Sequence, residues 1–260
     1  ITFQILGQVN QSENLITDTE INSYINNLGR KLLLNGTNEN FPLKFFIIND
    51  PSINAFAMLG GIIGVHSGLI LATNTESELS SVLSHEIAHI TQKHLLRLFD
   101  SQARNVFKSY IALAVAILAA RSNPQVASGA MAAASASQIQ NTLDFTRENE
   151  KEADRGGMEI LNKAGFDPKG FIDFFHTIEK FNEFSSGAAP AFLRTHPITG
   201  ERISDIQDRL KDYQYIQKSS NFDFYLVKAK LKAFLGDKEN IINYFEREIN
   251  NKNSLNEKAS

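Results

Sequence analysis

Ser84-His85-Glu86-Ile87-Ala88-His89-Ile90 is the stretch on which the reading of this chain turns. On an α-helix, residues four apart are neighbours on one face, so His85 and His89 can offer both imidazoles to a single cation. Glu86 lies about 100° around the helix from His85. That is too far round to share the cation's face, but near enough to reach a water bound to it. Zinc suits imidazole and carboxylate ligands at about 2.0–2.2 Å, and a carboxylate beside its water is placed to act as a general base. The bland alternative is a surface helix that carries two unrelated histidines.

The flanking sequence favours the first reading. Thr75-Glu76-Ser77-Glu78 is a capping-box pattern, Thr followed by Glu three residues later. Leu79, Val82, Leu83, Ile87 and Ile90 then recur at helical spacing. The motif therefore sits in a capped amphipathic helix, as the chemistry requires. A catalytic zinc also needs a third protein ligand and an open position. "TRENEKEADRGG", residues 146–157, supplies candidates. Glu150 and Asp154 are four apart on one face, so one can bind a metal while the other accepts the N–H of a ligand histidine. Glu148, Glu152 and Glu159 compete, and in isolation the run reads as a solvated charged helix face.

Working outward, Thr17 and Glu20 form another capping-box pattern, with Ile21, Ile25, Leu28 and Leu32 on one face and Asn35-Gly36 as the stop. "LKFFII" (43–48), Ile53 to Ala57 and Ile62 to Val65 read as short strands, the last two separated by Gly60-Gly61. Phe145 to Ala164 reads as a helix stopped by Gly165, and Asp167-Pro168 opens another with Asp as cap and Pro at the first position. A loop rich in small residues, "FNEFSSGAAPAF", precedes "THPITGERI" and a helix from about Thr199 to Leu210. Two helical segments around Gly236-Asp237 weakly resemble the first unit of a tetratricopeptide array. One such unit cannot bury its own face, so it packs on the main domain or further repeats belong with it. The expected division is a main domain over residues 1–215 and a helical hairpin over 216–260, with a solvated tail from Asn250.

Composition narrows the function class. The 260 residues are 42% hydrophobic and 21% charged with a net charge of -3, so no basic field points to nucleic acid. Absence of cysteine excludes disulfides and thiolate ligands. The longest apolar run, Tyr110 to Ala120, is far short of the roughly 20 residues a bilayer span needs. With the small-residue stretch at 125–140 it reads as a buried helix pair, or else as a hydrophobic flap touching a membrane surface or an unfolded substrate. The first residue is Ile, not Met, which leaves room for a leader already removed. His66, His94 and His176 are read as surface or satisfied core residues, and the Phe-rich 169–181 stretch as helix core.

Taken together, "HEIAH", "RENEKEAD" and "THPITGERI" resemble the zinc metallopeptidases that include the CAAX prenyl protease and the heat-shock protease HtpX, over about Thr17 to Leu210. "INAFAMLGGIIGVHSGLI" and "EADRGGMEILNKAGFDP" look closest to the periplasmic branch that enhances β-barrel assembly. The resemblance implies an α+β, mainly helical fold: a zincin-like core with a small antiparallel edge sheet and a C-terminal helical hairpin. The family's E-x-x-A-D motif falls on Glu150 to Asp154, which implies Glu150 as the third ligand of one Zn2+, Asp154 as the outer partner, and Glu148 and Glu152 as bystanders. It implies that His196 either closes the zinc site as a fourth ligand or steadies the oxyanion, and that Arg202 braces the same site or shares the oxyanion role. Asn54, Ala55 and Phe56 would form the edge strand along which an extended substrate lies.

The implied activity is zinc-dependent endopeptidase cleavage of misfolded or stalled envelope proteins in the periplasm, in contact with the outer-membrane assembly machinery. A binding reading competes: a periplasmic chaperone or assembly factor whose zinc is permanently closed by four ligands. A membrane-embedded prenyl-type protease is disfavoured by the short apolar runs.

Overall fold

The computed structural model describes residues 14–37, 42–100, 146–184, 190–214, 220–236, 241–244 and 246–247. The expected apolar hairpin (Tyr110 to Ala120 and 125–140), the boundary at 215/216 and the tail from Asn250 lie outside the described residues.

Helix α1 (Thr19–Gly36) buries Ile21, Ile25, Leu28 and Leu32 as their spacing requires. Its cap is Asp18, not Thr17: the Asp18 carboxylate accepts from the amides of Glu20 and Ile21, both at 3.1 Å. Such a cap contributes about 1 kcal/mol. Strands β1 (Lys44–Ile48), β2 (Ala55–Met58) and β3 (Ile62–His66) form one sheet in the order β1-β3-β2. β2 and β3 are the expected antiparallel pair, turned by Gly60 and Gly61, both at positive φ. β1 joins β3 in parallel, so the sheet is mixed. β3 is central and buried at every position. Among the described residues the outer edge of β2 pairs with no strand.

After α2 (Ser67–Ala72) comes α3 (Glu76–Thr91), which carries the histidine motif. Thr75 caps it by accepting from the Glu78 amide at 3.1 Å. The Glu78 carboxylate reaches past the cap to the Asn74 amide at 3.1 Å and accepts from the Thr177 hydroxyl at 3.1 Å. Glu76 accepts from the Tyr24 hydroxyl at 2.9 Å and the Asn221 amide at 3.2 Å. Two buried carboxylates thus complement the positive end of the helix dipole and tie the start of α3 to three other helices. Lys93, with φ 57, separates α3 from α4 (94–100).

Helix α5 (146–163) follows and stops before Gly165. The Asp167 carboxylate caps the next turn through the Lys169 amide at 2.9 Å. The amides of Gly170 and Phe171 bond back three residues, so a tight turn precedes α6 (Gly170–Phe184). Helices α7 (Ala191–Thr195), α8 (Gly200–Leu210) and α9 (Phe222–Leu235) follow, and residues 241–244 and 246–247 are helical as well. α3 lies at the centre, packed on α6, α1 and β2. One hydrophobic cluster runs through all these layers, and α9 contributes Phe224, Val227 and Leu231 to it. The architecture is α+β and mainly helical, a zincin-like core with a small sheet. Among the described residues no helix is long and apolar enough to cross a membrane.

Candidate metal centre

The site forms where α3, α5 and the turn after α7 meet. α5 approaches α3 closely because residues 156 and 157 are both glycine: a Cβ at 157 would stand 3.1 Å from the His85 amide nitrogen. This contact puts the inner face of α5, with Glu150 and Asp154, against the histidines. One atom from each of His85, His89, Glu150 and His196 lies within 4.8 Å of the others. His85 Nε2 is 3.0 Å from His89 Nε2 and 3.4 Å from Glu150 Oε2. His196 Nδ1 is 3.1 Å from both Glu150 oxygens and 3.3 Å from His85 Nε2. The His196 ring stacks on Phe192, with centroids 4.7 Å apart. α7 is itself tied to the segment before β2 by the Phe192 amide, which donates to the Ile53 carbonyl at 3.1 Å.

Behind this group, Asp154 Oδ1 is 3.0 Å from His85 Nδ1, which turns His85 Nε2 toward the other donors. Arg202 donates to both Asp154 oxygens at 2.7 Å and to the Pro197 carbonyl at 2.8 Å, and lies 3.0 Å from Glu150. Burial pushes the Asp154 carboxyl up, but the Arg202 charge and His85 hold it below its ordinary value. Burial likewise opposes Glu150, yet His196, His85 and His89 hold it far below the carboxylate range. Burial pushes His85 down, but Asp154 and Glu150 outweigh that and hold it up at about 10. A cation bound there would displace that proton, so binding releases protons.

Glu86 is fully buried, and neither carboxylate oxygen has a hydrogen-bond partner among the described residues. His196 Nε2 lies 3.4 Å from Glu86 Oε1. A buried carboxylate left without partners is costly unless water or a ligand serves it. Glu86, His89, Glu150 and His196 line one end of a cleft of about 420 Å³, with Phe56, Met58, Ile90 and Leu95 among its apolar walls. A larger hollow of about 800 Å³ lies between α1 and α9, but its lining has no histidine and no convergent donor set.

Two imidazoles, a carboxylate and a third imidazole converge here beside an unpartnered carboxylate. The residues present fit a divalent cation with a polarised water.

His85, His89, Glu150 and His196 come together, with Glu86 beside them and Asp154 and Arg202 behind. Of the two oxyanion candidates, His196 lines the cleft; Arg202 is buried behind it and does not. Of the three edge-strand residues, only Phe56 lines the cleft, continued by Ala57 and Met58; Ala55 is buried in the core, and Asn54 precedes β2, its carbonyl accepting from the His66 amide at 3.0 Å. Glu148 is exposed near Lys151, and Glu159 pairs with Lys163. Glu152 holds Arg97 at 2.7 Å and lies 3.3 Å from His94. Sequence reasoning missed His94, which is buried with its Nδ1 2.9 Å from His89 Nδ1. Burial and His89 push its pKa down to about 4. Its position five residues after His89 was the available signal.

Two histidines on one helix turn, a glutamate from a facing helix and a buried glutamate at a cleft define a metallopeptidase. Comparison with known proteins agrees. The profile of Peptidase family M48 matches residues 17–210, and the chain belongs to that family. It is 37% identical over 223 residues to the β-barrel assembly-enhancing protease of Escherichia coli K12, covering 86% of this chain and 46% of that protein. It is 35% identical over 233 residues to the Yersinia pestis protein of the same name, covering 90% and 48%. It is 30% identical over 183 residues to metalloprotease YcaL of Escherichia coli K12, covering 68% and 64%. The chain spans about half the length of the β-barrel assembly-enhancing proteases it matches.

Proposed function

We propose that this chain is the catalytic core of a zinc endopeptidase that cuts misfolded or stalled envelope proteins in the periplasm, in the service of outer-membrane assembly. The observation that carries the reading is Glu86: a buried carboxylate with no hydrogen-bond partner among the described residues, at the cleft where His85, His89 and Glu150 converge. The relatives' names support a protease and a link to β-barrel assembly.

His85, His89 and Glu150 would hold the zinc, which when bound supplies a water of lowered pKa and polarises the scissile carbonyl. Asp154, held by Arg202, keeps His85 in the orientation that binding needs. Glu86 takes the proton of the attacking water and passes it to the leaving amine. His196 lines the cleft where charge develops on the carbonyl oxygen and would donate to it. The substrate lies extended along the unpaired edge of β2, beside Phe56, Ala57 and Met58. The apolar cleft walls accept side chains that only an unfolded chain exposes.

A second reading has one observation in its favour. His196 Nδ1 lies within the donor group itself, so it would complete a closed four-donor site. In that state the chain is an inhibited protease or an assembly factor. Two variants separate the readings in a casein-cleavage assay. Glu86→Gln should retain zinc and lose cleavage by about 10²–10⁴-fold; full activity in that variant would rule out the protease mechanism. His196→Ala should raise cleavage if the residue closes the site and lower it if it serves the oxyanion. An unchanged rate would remove both roles.

A further inference from the structure

His94 stands outside the donor group, yet the structure ties it to that group more tightly than its sequence suggests. It is 3% exposed, and its Nδ1 lies 2.9 Å from His89 Nδ1. The rings meet edge to face, with centroids 4.8 Å apart. One of the two Nδ1 atoms must carry the shared proton, and the choice has a chemical consequence. If His94 donates, His89 Nδ1 is the acceptor, so a neutral His89 carries its proton on Nε2, the atom that faces His85 and Glu150. That atom then has no lone pair for a cation. If His89 donates, its Nε2 lone pair is open to the site.

The surroundings of His94 select the second arrangement. Glu152 Oε2 lies 3.3 Å from His94 Nε2, and Arg97 donates to the same Glu152 oxygen at 2.7 Å. Nε2 is buried and has no aligned hydrogen bond among the described residues, and the Glu152 carboxylate is the charge beside it. A carboxylate beside Nε2 favours a proton on that nitrogen, which leaves Nδ1 as the acceptor. The Gln92 side-chain amide, in the turn between α3 and α4, donates to the Glu152 backbone carbonyl at 3.2 Å, and the Glu152 carboxylate itself is held by Arg97.

We propose that His94 is a positioning residue for the metal centre: it accepts the Nδ1 proton of His89 and so holds the His89 Nε2 lone pair toward the donor group, with Glu152 and Arg97 fixing its own tautomer. His89 would then have in His94 what His85 has in Asp154. The inference rests on the reading that this group binds zinc.

The test uses the full chain and zinc alone, with affinity measured by chelator competition. His94→Leu removes the acceptor at similar volume and should weaken zinc binding by about 10–100-fold. His94→Asn restores an acceptor oxygen near the position of Nδ1 and should recover most of the loss. Equal losses in both variants, or affinity within twofold of wild type in His94→Leu, would overturn the proposal. Nitrogen-15 spectra of the wild-type histidines cover the case in which a variant misfolds. They should show His94 protonated on Nε2 and His89 on Nδ1, and the opposite pattern would overturn the assignment. Were the wild type to bind no zinc, the metal reading itself would fail, and the nitrogen spectra would still decide the His94–His89 arrangement.

Discussion

Alanine at position 157 sets two opposing effects against each other. Mid-helix, alanine is better than glycine by about 1 kcal/mol. Against that, a Cβ at 157 would stand 2.8 Å from Phe171 Cζ, 3.1 Å from the His85 amide nitrogen and 3.2 Å from its Cα. Phe171 belongs to the core, and the His85 backbone cannot yield without moving the metal site. Overpacking of this kind costs about 1–3 kcal/mol. The net expectation is a loss of about 1–2 kcal/mol, with α3 and α5 forced apart and the 3.0 Å His85–Asp154 contact stretched. Position 156 is the internal control. A Cβ there would meet the far end of Gln92, 2.4 Å from its Nε2, and Ala88 Cβ at an ordinary 3.4 Å. Gln92 can swing away and lose one hydrogen bond of about 1 kcal/mol, which cancels the helix gain. Urea unfolding of chelator-treated protein should place Gly156→Ala near the wild type and Gly157→Ala clearly below it. Zinc affinity should fall in Gly157→Ala alone. The reasoning is refuted if Gly157→Ala is at least as stable as Gly156→Ala and binds zinc as tightly as the wild type.

Other predictions concern charge. Arg202→Met leaves the buried Asp154 carboxylate without its bidentate partner and should destabilise the fold by about 3–5 kcal/mol. Asp154→Asn added to it should recover part of the loss in urea unfolding, and no recovery would contradict the pairing. At acid pH, Asp50 is held below the ordinary aspartate value of 3.8 by the Ser52 hydroxyl and amide. Asp205 is held below 3.8 by Arg155 and Arg209, against a burial that raises it. A carboxyl lowered by folding stabilises above its unfolded pKa and stops doing so as pH falls through the folded one. Chelator-treated protein should therefore lose its unfolding midpoint progressively as pH falls below about 4. Asp205→Asn should flatten that slope, and an unchanged slope would show that Asp205 contributes nothing to it.

What the sequence disclosed follows the range of the forces involved. The α3 cap at Thr75, the buried face of α1 and the four-residue spacings in 85–89 and 150–154 are local, so periodicity exposed them. Asp18 displaced Thr17 as a cap because either residue can accept from the first amides, and only the path of the chain into α1 chooses between them. The parallel joining of β1 to β3 was hidden because strand order is set by long-range pairing. Glu152 read as a bystander because its partners, His94 and Arg97, lie on another helix. The two glycines of "EADRGG" carried no sign that α3 would press against them. The role of Arg202 at the back of the site, not in the cleft, depended likewise on which helix faces it.

The most direct test of the account is zinc stoichiometry by native mass spectrometry on the wild type and on Glu150→Gln, after loading and desalting. The account predicts about one zinc ion per wild-type chain and its loss or sharp weakening in the variant. A wild type that takes up no zinc, or a Glu150→Gln variant that holds it as firmly, would contradict the metal centre built from His85, His89 and Glu150.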